Sequence, residues 1–246
     1  MSSIILYDLL GRGTPPKCFS LNTWKPRFVL NYKRLDYKTE WVDFVDIPST
    51  LSPLPLSPRE GENQKRHGGL AYTVPALRME SGNYMMDSDA ICRALEDAYP
   101  SPSLRMDDPV VSKVQDGVFK VIKALMPAIM PQIGFNVVTD KSRPYFFENR
   151  EKRFGKSLKQ VLEEDGGEKC WKVAEEGLRE VAALLKEGSE GPFFLGKEPS
   201  WADFVWASPL IFAGVADGGI LKRCLGVDEV LKRQFEACKP WMEKDD

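Results

Sequence analysis

Three short polar side chains crowd the stretch FSLNTWKPRF, residues 19–28, just ahead of a Trp and a basic, apolar run. Ser20, Asn22 and Thr23 all suit the start of a helix, whose first backbone N–H groups have no intrahelical acceptor. One cap needs only one such residue. The surplus points to a helix end that also holds something from outside the chain, and an anion is what a helix N-terminus favours.

Two further constellations carry polar chemistry. In YTVPAL (72–77) a proline interrupts an apolar strand. Either the strand is an edge, or the Val74–Pro75 bond is cis and leaves backbone N–H and C=O groups open to a ligand. In MMDSDAI (85–91), Asp87 and Ser88 stand at a second helix start. Plain capping accounts for them; so does an α-amino-acid site, with Asp87 meeting an ammonium and Ser88 with the helix-start N–H groups meeting a carboxylate.

Other chemistries are thinly represented. The chain has one histidine, His67, beside Gly68 and Gly69, which excludes multi-histidine metal sites; no metal is expected. There is no GxSxG elbow and no GxxxxGK[ST] or GxGxxG phosphate loop. The five cysteines (Cys18, Cys92, Cys170, Cys224, Cys238) are odd in number and widely spaced, as expected of reduced thiols in a cytosol. A net charge of −2 argues against a nucleic-acid partner or an anionic membrane surface. No apolar run approaches the roughly 20 residues of a bilayer span, and the N-terminus lacks the features of a secretory signal.

These residues need elements to position them. IILYDL (4–9) reads as a strand, 24–34 as a helix and YKTEWVDFV (37–45) as a second strand. A proline-rich insert over 46–69 reads as an exposed, irregular loop. A hairpin turning at Ser81-Gly82-Asn83 follows, then a helix capped by Ser88 and closed by Pro100. The order is βαβ then ββα. Beyond the linker at 100–109 strand signals nearly vanish. Helical spacing runs through 110–131, where Pro127 and Pro131 should kink or end the helix, then near 145–163, 168–187, 200–213 and 228–238. Residues 1–102 thus form an α/β domain and 110–246 an all-α domain.

A βαβ–ββα unit with Val-Pro at its third strand, Asp-Ser opening the next helix, a Pro-rich linker and a helical half resembles a cytosolic glutathione transferase along essentially the whole chain. PSWADFVWASPL (199–210) adds the Ser200–Asp203 capping box and a Pro199–Phe204 staple, a structural hallmark of that superfamily's second domain. SLNTWKPRFVL is similar to the motif of serine-type transferases and bacterial β-etherases. The polar insert before YTVPAL is similar to the ether-related enzymes of wood-decay fungi.

The resemblance implies a thioredoxin-like first domain, glutathione as co-substrate, a hydrophobic aromatic second molecule and a homodimer in the cytoplasm. It places Ser20 on the glutathione sulfur as a hydrogen-bond donor. Asn22, Thr23 and Tyr7 remain alternatives, with Thr23 expected as the N-cap; Cys18 lies two residues early for thiol-transfer chemistry. Glutathione would lie along Thr73, Val74 and Pro75, with its amino-acid end at Asp87 and Ser88. Its glycyl carboxylate would meet the Lys65-Arg66-His67 cluster, His67 above all. The hydrophobic molecule is expected against Phe119, Met126 and Met130. Conjugation, ether cleavage, peroxide reduction, ligand binding without turnover and a regulatory role on the same fold are the alternatives.

Overall fold

The computed structural model describes residues 3–66, 69–188 and 190–246. β1 (Ile4–Leu9), α1 (Leu21–Tyr32) and β2 (Tyr37–Val42) open the chain, with β1 and β2 parallel and Ile4 opposite Tyr37. β3 (Ala76–Arg78) and β4 (Tyr84–Met86) form the hairpin, and α4 (Ser88–Ala98) closes the unit. Antiparallel pairing of β1 with β3 completes a sheet of order β2-β1-β3-β4. This is the expected thioredoxin-like βαβ–ββα arrangement. β1 is largely buried: Ile4 and Leu6 are fully buried, and Asp8 is buried in an ion pair with Arg27 of α1.

β2 stops at Val42, three residues early. The Asp43 carboxylate is engaged by the hydroxyls of Thr139 and Ser142, and Phe44–Asp46 turns into a short 3₁₀ helix. The proline-rich insert is also more ordered than expected. It contains α2 (Ile47–Leu51) and α3 (Gly61–Arg66), and buries Leu51, Leu56 and Arg59. Helices this short are not stable alone, so local pattern does not announce them; packing of Leu51 holds α2 in place.

The helical half comprises α5 (Pro109–Asn136), α6 (Arg143–Phe154), α7 (Leu158–Asp165), α8 (Glu168–Glu187), α9 (Trp201–Ala216), α10 (Gly218–Leu225) and α11 (Glu229–Cys238). α5 runs past Pro127 and Pro131 without ending at either. By length and composition it is the one helix among the described residues that could cross a membrane, which the reading of short apolar runs did not anticipate. Here its inner face (Val114, Val121, Leu125, Ile129) is core, packed against α8 and α9. The approach to α8 is close: a Cβ added at Gly117 would lie 2.6 Å from Val181 Cγ2. The single helix read over 145–163 is two, broken at Gly155, whose φ of 73° suits glycine.

The halves share a core. Ser200 N and Oγ both donate to Asp203 Oδ2 at 2.8 Å, while Phe194 N and Gln234 Nε2 donate to Oδ1. That network fixes the start of α9, and Phe204 one residue on reaches α1, stacking on Phe28. All five cysteines are free and buried.

Candidate active site

A cleft of about 590 Å³ opens between the two halves, within the range of small-molecule sites. One wall comprises the N-terminus of α1, the segment entering β3 and the N-terminus of α4. The other comprises the C-terminal part of α5, one face of α6 and Phe212 of α9, with the Phe44–Pro48 segment between them.

Ser20, not Thr23, is the N-cap of α1, and its side chain makes no capping hydrogen bond. The cap geometry is instead closed by the backbone, with Thr23 N and Trp24 N donating to the Ser20 carbonyl. Trp24 Nε1 donates to the Cys18 carbonyl, which holds the loop before the helix. The Ser20 hydroxyl therefore faces the cleft uncommitted, although the residue is only 8% exposed. Asn22 lines the cleft as well, and Lys25 lies one turn further along. Thr23 points inward, fully buried, with its hydroxyl unpaired, because three residues of helix carry it to the core face.

Tyr7 and Cys18 are both buried and line no part of the cleft. Burial pushes the Tyr7 phenol up and the Cys18 thiol well above its ordinary value, so neither offers an accessible acid or a thiolate.

The Val74–Pro75 bond is cis. Val74 lies before β3 begins, and its N–H and C=O have no hydrogen-bond partner among the described residues. Thr73, Val74 and Pro75 all line the cleft.

Asp87, not Ser88, caps α4, accepting from Asp89 N at 3.0 Å and more loosely from Ala90 N through Oδ1. Ser88 is the first helical residue, its hydroxyl free at the cleft. Asp87 has φ 85° and ψ 125°, backbone that non-glycine residues adopt at a cost of about 1–3 kcal/mol and that clusters at binding sites. Its second carboxylate oxygen faces Arg59 Nη2 at 3.6 Å. Arg59 Nη1 in turn donates to Thr73 Oγ1. Burial lowers the Arg59 pKa, and Asp87 opposes that shift. One guanidinium from the insert thus ties the strand entrance to the α4 cap.

Of the expected cation cluster, only Lys65 has a described side chain. Lys65 is exposed and paired with Glu62, and His67 lies outside the described residues. Among the described residues, Arg59 and Lys25 are the cations that line this wall, and the sequence reading missed both.

Of the three residues expected on the hydrophobic side, only Met130 lines the cleft. Phe119 is 67% exposed, with the Lys123 ammonium 5.7 Å above its ring, and Met126 is half-buried elsewhere on α5. The three do share a stripe, but it is about 16 Å long at 1.5 Å per residue, and the cleft reaches only its end. The α6 residues Tyr145, Phe146, Asn149, Arg150 and Arg153 complete the wall with Ile133 and Phe212. α6 is seated by close packing on α5: a Cβ at Gly134 would lie 3.0 Å from Phe147 and 3.1 Å from Phe146.

Comparison with known proteins agrees with this geometry. Residues 19–98 match the glutathione S-transferase N-terminal domain, and residues 113–244 match the glutathione S-transferase C-terminal domain. The chain belongs to the glutathione S-transferase family. It is 30% identical to GSTFuA2 of Phanerochaete chrysosporium, with a TM-score of 0.86 and all of both chains covered. It is 28% identical to the transferase CsGST63524 of Ceriporiopsis subvermispora, solved in complex with glutathione, with a TM-score of 0.84 over 98% of each chain. Among curated proteins it is 26% identical to the glutathione S-transferase-like protein ustS of Aspergillus flavus, over 77% of this chain and 72% of that one. No group of three or more His, Cys, Asp or Glu side chains able to hold a metal occurs among the described residues.

Proposed function

We propose that the protein is a serine-type glutathione transferase whose Ser20 hydroxyl donates to the glutathione thiolate. The observation that carries this reading is the uncommitted Ser20 hydroxyl at the N-terminus of α1, in the same cleft as the unpaired backbone of Val74.

In this reading the tripeptide lies along Thr73-Val74-Pro75 and exchanges backbone hydrogen bonds with Val74. Its γ-glutamyl end meets Asp87 and Ser88 at α4, and Lys25 and Arg59 supply positive charge for its carboxylates. The sulfur then reaches the mouth of α1. A free thiol titrates near 8.5; a helix N-terminus with a donor hydroxyl brings that down to about 7 or below, and each unit is worth about 1.4 kcal/mol. Ser20 keeps its proton and acts as one arm of an anion hole. The thiol proton leaves to solvent, and the sulfur attacks an electrophilic carbon of an apolar, aromatic molecule lying against Met130, Ile133, Phe146 and Phe212. Where the carbon carries an ether or halide, that group departs with its bonding pair, as in β-etherase-like cleavage. The buried, free cysteines fit a reducing, cytosolic setting.

The test is an ultraviolet titration of bound glutathione in the wild type and in Ser20→Ala. A thiol pKa depressed in the wild type and restored by the substitution supports the assignment. Equal values in both move the sulfur contact to Asn22, and no glutathione uptake by calorimetry ends the proposal.

A further inference from the structure

The α6 wall carries charge that the thiolate chemistry does not use. Residues 145, 149 and 153 recur every fourth position, as do 146 and 150, so one face of α6 turns Tyr145, Phe146, Asn149, Arg150 and Arg153 into the cleft. The other basic residues of this helix have carboxylate partners: Lys152 pairs with Glu148 and Arg143 with Asp140. Arg150 and Arg153 have none among the described residues.

Arg150 is held in place rather than free in solvent. Its guanidinium lies 4.7 Å above the Phe146 ring, and Nη1 donates to Asn149 Oδ1. Phe146 is itself buried and packs edge-on against Phe44 at 5.4 Å. Among the described residues, the acids lining the cleft are Asp87 and Asp89, both on the opposite wall at α4, where Asp87 already faces Arg59. Burial and neighbouring Arg153 lower the Arg150 pKa to about 10, which leaves it charged at neutral pH.

Withdrawing a guanidinium from water without a counter-ion is unfavourable, yet Arg150 is half-buried without one, with the exposed Arg153 one turn along, beside an apolar floor of Met130, Ile133 and Phe212. A carboxylate matches the planar guanidinium fork in a bidentate way that no neutral group does. We infer that the second substrate is an aromatic electrophile bearing a carboxylate, its ring on the Phe146–Met130–Phe212 surface and its anion on Arg150 and Arg153. The inference deepens the transferase reading and rests on it for the reaction, but not for the binding.

Two matched electrophiles test it in the full-length protein: a para-chloro dinitrobenzoate and the corresponding uncharged carboxamide. With each, the glutathione sulfur bonds to the carbon bearing chlorine, the ring accepts the electron pair, and chloride leaves with it as the C–Cl bond breaks. Each kcat/KM is divided by the uncatalysed rate of the same compound. The expected benzoate preference is at least about tenfold, equivalent to about 1.4 kcal/mol, and falls with added salt. Arg150→Gln and Arg153→Gln should each reduce that ratio several-fold, and Arg150→Lys should retain part of it. Calorimetry with unreactive dinitrobenzoate and dinitrobenzamide, without glutathione, reads the same preference as binding. A ratio near one in the wild type, or one untouched by both glutamine variants, overturns the inference. So does a loss of glutathione affinity in Arg150→Gln with the ratio intact, since the arginine would then serve the tripeptide. If no turnover occurs but the benzoate still binds in preference, the anion site stands and the transferase reading falls.

Discussion

The Phe28 ring of α1 lies flat on the Phe204 ring of α9, with centroids 4.8 Å apart and planes 5° from parallel. Both rings are fully buried. The stack joins the helix that Ser20 caps to the helix that the Asp203 network caps, so the proposed sulfur site is referenced to the far half of the molecule. Tyr32 and Trp241 meet Phe204 edge-on at 5.6 and 5.7 Å, which leaves the ring no room to relax. Phe204→Ala should therefore cost roughly 3–5 kcal/mol, the usual range for a buried aromatic truncated to alanine. Thermal unfolding measures that loss. Glutathione affinity should fall with it in Phe204→Leu, which keeps most of the volume but loses the flat contact. Unaltered affinity in that variant would uncouple the stack from the site.

Ser20→Ala tests the thiolate through its pH profile. Loss of one donor to the sulfur should raise the apparent pKa of bound glutathione by about one unit. At pH 6.5 the variant should lose roughly tenfold or more in kcat/KM, and the gap should narrow above pH 9, where thiolate forms unaided. A parallel loss at every pH would indicate a lost contact unrelated to ionisation.

Arg59→Met probes the link between the insert and the binding wall. The substitution keeps much of the side-chain bulk but removes the donor to Thr73 and the cation facing Asp87. Asp87, in its unfavourable backbone conformation, is then left with only its cap contacts. Glutathione affinity should weaken about 5- to 30-fold, or roughly 1–2 kcal/mol, while stability falls less. Isothermal calorimetry beside a thermal melt separates the two effects.

The wall at α1, β3 and α4 was legible in the sequence because its signals are local. Ser20 stands within four residues of the helix it caps, and Asp87 and Ser88 follow the Val-Pro pair by a single hairpin. Even there the cap assignments shifted, from Thr23 to Ser20 and from Ser88 to Asp87. Neighbouring polar residues satisfy the same propensity, and only backbone angles distinguish them. The opposite wall depends on distant contacts. Arg59, inside a segment whose prolines read as an exposed, irregular loop, acquires its role from Thr73 and Asp87, 14 and 28 positions later. α6 falls in the stretch near 145–163 that reads only as helical. What turns its face inward is the Asp43 carboxylate gripping Thr139 and Ser142 across almost a hundred residues. Phe119 failed in the other direction, since periodicity assigns a stripe to a helix but not the end of that stripe at which a cleft opens.

Gly134→Ala should disturb the α6 wall with no change of charge or polarity. The added Cβ meets Phe147 and Phe146 at 3.0 and 3.1 Å, tighter than ordinary packing, with Leu158 at 3.3 Å behind them. α6 must then move off α5 by a few tenths of an ångström, carrying Arg150 with it. The expected outcome is a two- to tenfold rise in KM for aromatic electrophiles at unchanged glutathione affinity, about 0.4–1.4 kcal/mol. Steady-state kinetics with each substrate varied in turn measures both values.

Asp203 gives a pH-dependent prediction whose sign follows from burial. Its carboxyl is pushed above the ordinary 3.8 chiefly by loss of solvent, against the hydrogen bonds from Ser200, Phe194 and Gln234 that favour the ionised form. A group whose folded-state pKa is raised contributes stability that is fully present below its unfolded value and lost as pH rises through the folded one. Asp203→Asn titrates in neither state, so other groups cancel when the two proteins are compared at each pH. The variant should be less stable throughout, because its amide nitrogen faces donors where one carboxylate oxygen accepted them. The gap between the proteins should be widest near pH 4 and shrink toward pH 7. Urea unfolding at several pH values would measure it, and a gap that widens with pH would mean the network, not burial, governs the Asp203 charge.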